Sequence, residues 1–291
     1  MFKRVYIEIS NVCDLQCSFC PSIKREKKFM SVPDFDKILG QVASLTEEVC
    51  LHLMGEPFTH PKIDDILKIC SDHNTKVQIT TNGLHIDKFK DLVLDSTQIR
   101  QINFSIQSFT DNFPNKDINE YLLRILNFVV SATKLRPDLY INLRLWNIDD
   151  VACANAHDNE RVISYVEDFF KTKINRKIDV GYMKSKKVCD KLYLHFDSRF
   201  EWPSLELPYI GDNGTCHGMS GHIGILADAT VVPCCLDKDA NIPLGNCLEQ
   251  NILSILGGQR AIKMKEGFAK GSLVEELCRH CLLYTSDAAD E

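Results

Sequence analysis

The first two-thirds of the chain alternates between two hydrophobic patterns. Between the stretches of strict alternation, apolar residues recur at helical spacing, as Phe35, Ile38 and Val42 do after Pro33. Repeated strand–helix units of this kind predict right-handed crossovers and a parallel sheet. The alternating stretches predict strands at Arg4–Ile9, Val49–Met54, Lys76–Thr81, Gln101–Ile106, Tyr140–Trp146 and Lys177–Tyr182.

One face of this predicted sheet is polar. Ile102 and Phe104 alternate with Asn103 and Ser105, and the other strands follow the same rule. A parallel sheet covered on both faces usually carries continuous apolar runs, and a closed eight-stranded barrel fills its interior with bulky branched side chains. The pattern favours an incomplete barrel whose lumen holds a ligand. The alternative is a sheet with one face in solvent.

Composition describes an ordinary soluble enzyme of about two domains. The net charge of −6 gives no electrostatic argument for a nucleic-acid partner. No apolar run approaches the roughly 20 residues that span a bilayer. Residues 1–4 lead directly into a strand, so we expect no signal peptide. Thirteen cysteines in such a chain indicate thiols kept reduced for metal, so we expect a cytoplasmic protein without membrane partners.

Three cysteines form a tight motif after the first strand. Cys13, Cys17 and Cys20 have the spacing Cys-x3-Cys-x2-Cys. Three thiolates in one loop can ligate three irons of a cluster and leave the fourth iron open, as catalytic metal sites require. A zinc knuckle or a chance group of buried thiols is the alternative. A zinc site needs a fourth ligand, and the next His or Cys in the chain is Cys50.

With Phe19 just before the third cysteine, this motif resembles that of the radical S-adenosylmethionine (SAM) superfamily. The resemblance implies an α/β fold, with a partial (β/α)6 TIM-like barrel over residues 1–183. It implies a [4Fe-4S] cluster bound to Cys13, Cys17, Cys20 and SAM, and an external reductant of the flavodoxin or ferredoxin type. Cleavage of SAM to methionine and a deoxyadenosyl radical would be the cofactor's chemistry.

The resemblance also assigns SAM contacts at the ends of the strands. Gly55-Glu56-Pro57 looks like the family element that binds the methionine amino group, although alone it is a common turn. Arg144 would bind the carboxylate as a guanidinium fork, or else pair with Glu8 or another carboxylate inside the protein. Glu8 and His52 are the candidates for positioning substrate or moving a proton, unless they only bond to each other. The assigned cofactor-binding residues are Phe19, Gly55, Glu56, Pro57, Asn82, Ser105, Gln107, Arg144 and Met183.

The last third is rich in cysteine. A hairpin about Asp228-Ala229, ending in Val232-Pro233-Cys234, resembles part of the auxiliary-cluster domain called SPASM, or its shorter Twitch form. Ala229 stands where that family usually has a glycine, and the central cysteine run of a two-cluster domain is missing. The resemblance implies one auxiliary [4Fe-4S] cluster, with a four-thiolate zinc site as the alternative. Its implied ligands are Cys216, Cys234, Cys278 and Cys281, with Cys235 as the alternative to Cys234.

Domain boundaries follow from these motifs. Residues 1–183 form the predicted core, 184–208 a basic linker or bridging segment, and 209–281 the auxiliary domain. Residues 282–291 resemble the translation of a sequencing adaptor, so we expect them to be a non-native tail, with Cys281 also supplied by the adaptor.

The leading hypothesis is a radical enzyme that abstracts hydrogen from a peptide or protein. The runner-up is an enzyme that modifies a small metabolite or cofactor precursor. A non-catalytic iron–sulfur or zinc protein is the third hypothesis, and the open cysteine loop with a polar lumen argues against it.

Overall fold

The computed structural model describes residues 1–148, 156–178, 182–199 and 201–282. The strands are β1 Arg4–Ile7, β2 Glu48–Cys50, β3 Lys76–Thr81, β4 Ile99–Ser105, β5 Tyr140–Leu145, β6 Ser185–Cys189, β7 Leu192–Phe196, β8 His222–Ile225, β9 Thr230–Val232 and β10 Gly245–Asn246. The helices are α1 Val32–Val42, α2 Ile63–Asp72, α3 Ile86–Asp95, α4 Gln107–Asn112, α5 Ile118–Leu135, α6 Ala156–Phe170, α7 Ile252–Leu256, α8 Gln259–Ala269 and α9 Glu276–Arg279, and Pro57–Thr59 form a 3-10 turn. Sheet and helices alternate along the first two-thirds, as the sequence predicts.

Two compact units divide these elements. The first contains the described residues of 1–13, 21–76 and 201–282. Its strand order is β10-β9-β8-β1-β2, with β1 parallel to both β2 and β8 and the C-terminal hairpin β8–β9 antiparallel. Val5 of β1 lies between Val49 and Ile223, and all three are fully buried. The cysteine-rich C-terminal hairpin therefore extends the same sheet as the N-terminal strand.

Helix α1 shows how local sequence builds this unit. The Ser31 hydroxyl accepts the Asp34 backbone N–H and Pro33 stands in the first turn, which are strong signals for a helix start. Phe35, Ile38 and Leu39 then bury one face completely. Full burial of each such side chain contributes roughly 1.5–3 kcal/mol, so burial more than the cap holds the helix in place.

The second unit contains the described residues of 14–20 and 77–199. Its strand order is β3-β4-β5-β7-β6, parallel from β3 to β7, with β6 antiparallel at the edge. Helices α3, α4, α5 and α6 accompany these strands. Ile102, Phe104 and Leu143 form the apolar side of the sheet and are fully buried.

The opposite side of this sheet is polar, and most of its residues are buried or half-buried. Asn103 on β4 has no solvent exposure, and its amide donates to Thr80 Oγ1 at 3.1 Å. Asn142 on β5 donates in turn to Asn103 Oδ1 at 2.9 Å. Gln78 and Arg144 are also buried. The alternative of a solvent-exposed polar face therefore does not hold for this unit.

The sixth parallel strand lies later in the chain than predicted. Lys177, Ile178 and Tyr182 are outside any strand, and residues 179–181 lie outside the described residues. The strand parallel to β5 is Leu192–Phe196, which forms a hairpin with β6. This hairpin falls within 184–208, the segment predicted as a linker or bridge. The alternation Leu-Tyr-Leu-His-Phe of β7 indicates a strand in the sequence. The lysines of β6 made the edge strand before it look like a linker.

No helix in the described parts of the chain is long and apolar enough to cross a membrane.

Candidate functional site

The three clustered cysteines lie in the loop that follows β1. Cys13 and Cys17 are half-buried and Cys20 is exposed. The Cys20 backbone N–H donates to the Cys17 carbonyl at 3.1 Å, which closes a tight turn between them. Residues 14–20 belong to the second unit although the chain on both sides belongs to the first. Interactions within the second unit therefore shape this loop.

Helix α4 supplies the main anchors of the loop. Asp111 accepts the Ser18 N–H at 2.5 Å and the Ser18 hydroxyl at 2.6 Å. Asn112 Oδ1 accepts the Gln16 N–H at 2.9 Å. Its Nδ2 donates to Cys17 Sγ at 3.1 Å and to the Ser108 carbonyl at 2.9 Å. The short helix thus fixes both the backbone of the loop and one of its sulfurs.

A second set of anchors holds the beginning of the loop. Asp14 accepts Asn82 Nδ2 at 2.8 Å through one oxygen and bonds His85 Nε2 at 2.8 Å through the other. Asn82 Oδ1 also accepts the Leu84 N–H, and its carbonyl accepts the Tyr121 hydroxyl. Asn82, assigned to the cofactor by resemblance, therefore also positions the cysteine loop.

The Gly55-Glu56-Pro57 segment packs against the backbone that leads into Cys13. Gly55 has φ +79°, and a Cβ there would lie 2.5 Å from the Ser10 carbonyl oxygen, so only glycine fits. The Glu56 N–H donates to the Val12 carbonyl at 2.9 Å, and its buried carboxylate caps the turn by accepting the Phe58 N–H at 3.1 Å. The motif thus fixes the end of β1 at close range.

Two further candidates lie at the carboxyl ends of β4 and β5. Gln107, predicted at the end of the fourth strand, is the first residue of α4, whereas Ser105 ends β4. Gln107 is 7% exposed, and within the described residues no donor reaches its Oε1. Arg144 is buried beside Ser105, with its guanidinium 4.3 Å from the Trp146 ring centroid. A buried acceptor and a buried guanidinium at strand ends suit a polar ligand that carries hydroxyl and carboxylate groups.

The C-terminal thiols form a separate group within the first unit. The Gly218 N–H donates to Cys216 Sγ at 3.3 Å, and a Cβ on Gly218 would lie 3.6 Å from Cys234 Cβ. The pKa of the Cys234 thiol is well above its usual range, because of burial first and then of Cys235, Cys216 and Cys278 nearby. Burial, then Cys216 and Cys281, raises the pKa of Cys278 in the same way.

These shifts connect the predicted auxiliary ligands to one another. Neighbouring thiolates repel, so the group is hard to ionise without a compensating cation. Cys247 differs: burial raises the pKa of its thiol to about 12, and Lys37 opposes that rise. The donor chemistry at both cysteine groups therefore fits iron–sulfur ligation. Within the described residues no three or more His, Cys, Asp or Glu side chains form a preformed metal site, so individual ligands stay predictions.

Two family models match the chain. The model of the radical SAM superfamily matches residues 7–135, which contain the three-cysteine loop, the Gly-Glu-Pro segment and α4. The chain belongs to the radical SAM superfamily. A model described as an iron–sulfur cluster-binding domain, SPASM, matches residues 216–282. The recognition made from the cysteine spacing is confirmed, and the protein is a radical SAM enzyme with a C-terminal SPASM domain.

Solved radical SAM enzymes share the fold at low identity. SuiB from Streptococcus suis, bound to its precursor peptide SuiA, aligns with a TM-score of 0.62 and 18% identity, covering 97% of this chain and 71% of SuiB. anSMEcpe with bound AdoMet gives 0.59 and 13%, covering 97% and 86%. BtrN in complex with AdoMet and 2-DOIA gives 0.55 and 15%, covering 97% and 93%. No curated protein sequence matches.

These likenesses confirm the expected fold class, an α/β radical SAM core of the partial TIM-barrel kind with a small C-terminal domain. Iron–sulfur clusters and SAM are the cofactors that this membership brings.

Glu8 and His52, the candidates for substrate chemistry, do not bond to each other in the described contacts. Glu8 is fully buried; one oxygen accepts Arg25 Nη2 at 2.8 Å and the Met54 N–H at 3.3 Å, and the other accepts the Ala227 N–H at 2.9 Å. It therefore ties β1 to the C-terminal hairpin. His52 lies edge-on to the Tyr6 ring, with centroids 5.8 Å apart.

Two assigned residues lie nearer solvent. Phe19 is half-buried within the cysteine loop of this radical SAM core, and Met183 is 53% exposed, with its sulfur accepting Lys186 Nζ at 3.1 Å.

Sequence reasoning missed a histidine on the polar side of this radical SAM sheet. His195 lies opposite Arg144 in the parallel pair β5–β7, and its Nδ1 faces Trp146 Nε1 at 2.9 Å. Because the indole can only donate, Nδ1 must accept, and the ring proton lies on Nε2. Burial, then the Arg144 charge, lowers the pKa of His195 to about 4. The alternating pattern of β7 was its sequence signal.

Proposed function

We propose that this enzyme cleaves SAM reductively at a [4Fe-4S] cluster held by Cys13, Cys17 and Cys20, and uses the radical formed to abstract hydrogen from a peptide or protein. The observation that carries the proposal is the hydrogen bond by which Asn112 of α4 holds Cys17 in the three-cysteine loop. The Gly-Glu-Pro segment, where no Cβ fits at position 55, supports it independently. When bound, the cluster would supply the electron and SAM the radical, and an external flavodoxin or ferredoxin would reduce the cluster.

The residues of the chain would bind and orient the cofactor. Arg144, stacked on Trp146, would pair with the methionyl carboxylate, because its buried charge has a bidentate geometry suited to that group. Gln107 Oε1 would accept a hydroxyl or amine of SAM, which would satisfy a buried acceptor. The carbonyls around Gly55 would accept the ammonium group, since glycine allows the backbone to approach closely.

An auxiliary [4Fe-4S] cluster held by Cys216, Cys234, Cys278 and Cys281 forms the second part of the proposal. The mutual electrostatic influence of these thiols supports it. The domain limits 1–183, 184–208 and 209–281 are retained with it as a proposal. A cytoplasmic location is also proposed, because thirteen cysteines in one chain indicate thiols kept reduced for metal.

A peptide substrate is supported by the likeness to SuiB, which was solved with its precursor peptide. A small-molecule substrate is the second candidate, supported by the likeness to BtrN with 2-DOIA, which extends over 93% of that chain. Deuterium transfer would separate the two. The enzyme would be incubated with deuterated peptides or deuterated small metabolites from cell extract. Deuterium in released deoxyadenosine would identify the fraction that contains the substrate.

The first test is deoxyadenosine release from SAM by the anaerobically reconstituted, dithionite-reduced protein. We expect release by the wild type, none by Cys17→Ala, and wild-type release by Cys189→Ala, which removes a half-buried thiol on β6. Equal release by Cys17→Ala would contradict the assignment of the cluster loop. An iron-loaded wild type that releases no deoxyadenosine with either substrate fraction would contradict the function.

A further inference from the structure

Asn112 is held in one orientation at the end of α4. The Gln16 backbone N–H can only donate, so the atom of Asn112 that faces it at 2.9 Å is Oδ1. The Ser108 carbonyl can only accept, so the atom that faces it at 2.9 Å is Nδ2. These two contacts settle which end of the amide is which, a choice that often stays open.

The fixed amide has one remaining N–H, and it points to a sulfur. Nδ2 carries two hydrogens; Ser108 takes one, and Cys17 Sγ lies 3.1 Å from the same nitrogen. Cys17 is the middle cysteine of the three. Sulfur is a weak acceptor as a thiol and a much better one as a thiolate, so this bond suits a cysteine that ligates metal.

Asp111 performs a different task in the same loop. Both of its oxygens bind Ser18, through the backbone N–H and the hydroxyl, and none of its described hydrogen bonds is to a cysteine. The neighbouring residues thus separate two roles: Asp111 holds the backbone, and Asn112 holds both the backbone and a sulfur.

We propose that Asn112 is a positioning residue for the cluster, which orients Cys17 before iron binds and makes the bound cluster easier to reduce. This inference rests on the proposed function for its second half. Hydrogen bonds to ligating sulfurs stabilise the more negative, reduced state and so raise the reduction potential. Substitution at Asn112 would therefore change the potential as well as the loop.

Two variants separate these effects. Asn112→Asp keeps an oxygen for the Gln16 N–H but places a second oxygen, not an N–H, against Cys17 and the Ser108 carbonyl. Asn112→Ala removes all three contacts. Asn127→Asp makes the same charge change at an exposed position of α5. Thr110→Ala changes α4 at a residue whose described hydroxyl bond is to the Gln107 carbonyl of the same helix.

The first measurement is amide hydrogen exchange of the iron-free protein, at Gln16. We expect faster exchange in Asn112→Ala and wild-type exchange in Asn112→Asp and Thr110→Ala. Unchanged exchange at Gln16 in Asn112→Ala would overturn the positioning role of Asn112, whether or not the protein binds iron.

The second measurement is the midpoint potential of the cluster whose electron paramagnetic resonance spectrum changes on adding SAM. We expect a lower potential in Asn112→Asp than in Asn127→Asp at equal iron content. Equal potentials would overturn the electrostatic role while leaving the function intact. A protein that binds no iron through Cys17 would overturn both the electrostatic role of Asn112 and the proposed function. The exchange measurement on the iron-free protein would still test whether Asn112 positions the loop.

Discussion

Gly55 lies where the chain has no room for a β-carbon, and Gly55→Ala tests how tightly the Gly-Glu-Pro segment sets the path into the cluster loop. Its φ of +79° is in the left-handed region, and the added Cβ would lie 2.5 Å from Ser10 O and 2.9 Å from Asn11 Cα. Both neighbours are backbone atoms, so no side-chain rotation can relieve the clash. The backbone must move instead.

Gly271 provides the matched control. Its φ is +72°, but nothing lies within 4 Å of an added Cβ. Alanine in the left-handed region costs about 1–2 kcal/mol, and the lower entropy of the unfolded chain returns about 0.4–1 kcal/mol. Gly271→Ala should therefore lower the free energy of unfolding by about 1 kcal/mol. Gly55→Ala carries the same cost plus about 1–3 kcal/mol of overpacking, so we expect a loss of about 3 kcal/mol.

Urea unfolding of the iron-free variants measures this difference directly. SAM binding to the reconstituted proteins is the second readout, and it should weaken in Gly55→Ala and remain in Gly271→Ala. Equal destabilisation by the two substitutions would refute the steric argument. Normal SAM binding by Gly55→Ala would refute the role of the segment in the cofactor site.

Three further outcomes are expected. The neutral His195 imidazole stabilises the fold fully above pH 6.5, and this contribution is lost as the pH falls toward its folded pKa of about 4. The wild type should therefore lose more free energy of unfolding than His195→Gln between pH 7 and 4.5. We expect a difference of about 2 kcal/mol, measured by urea titration. Cys278→Ala should lose the iron of the auxiliary site, whereas Cys247→Ala should keep it, in a colorimetric iron assay. Asp111→Ala removes both acceptors of Ser18 and should speed amide exchange at Ser18 without changing exchange in β4. Identical exchange at Ser18 would show that Asp111 does not anchor the loop.

The sequence predicted best where local pattern and burial agree. Alternation placed β3 at the observed residues, because Val77 and Ile79 are fully buried and no competing signal is present. The sixth parallel strand, β7, was placed too early because the edge strand β6 before it reads as a linker. Lys186 and Lys187 of β6 have the charge of a linker, although Lys186 is buried. Periodicity cannot distinguish a lysine that lines an edge from one in a loop.

Motif spacing found the cysteines, but it could not find what holds them. Asp111 and Asn112 lie 93 and 96 positions from their partners in the loop. They occupy a six-residue helix with no strong pattern of its own. Such residues are defined only by the folded chain. The Ala229 position shows the opposite case: the sequence marked an unusual hairpin tip, and the residue has φ +70°.

The separation of Cys17 and Asn112 along the sequence also determines the order in which they are synthesised. Residues 13–20 leave the ribosome early, while the Asn112 that orients Cys17 follows 95 residues later along the chain. Protein synthesis adds about 5–20 residues per second, so about 5–20 s pass between the synthesis of the cysteine loop and that of α4. Iron delivered during that interval would meet a loop that α4 does not yet hold. We therefore expect cluster insertion to follow the synthesis of α4.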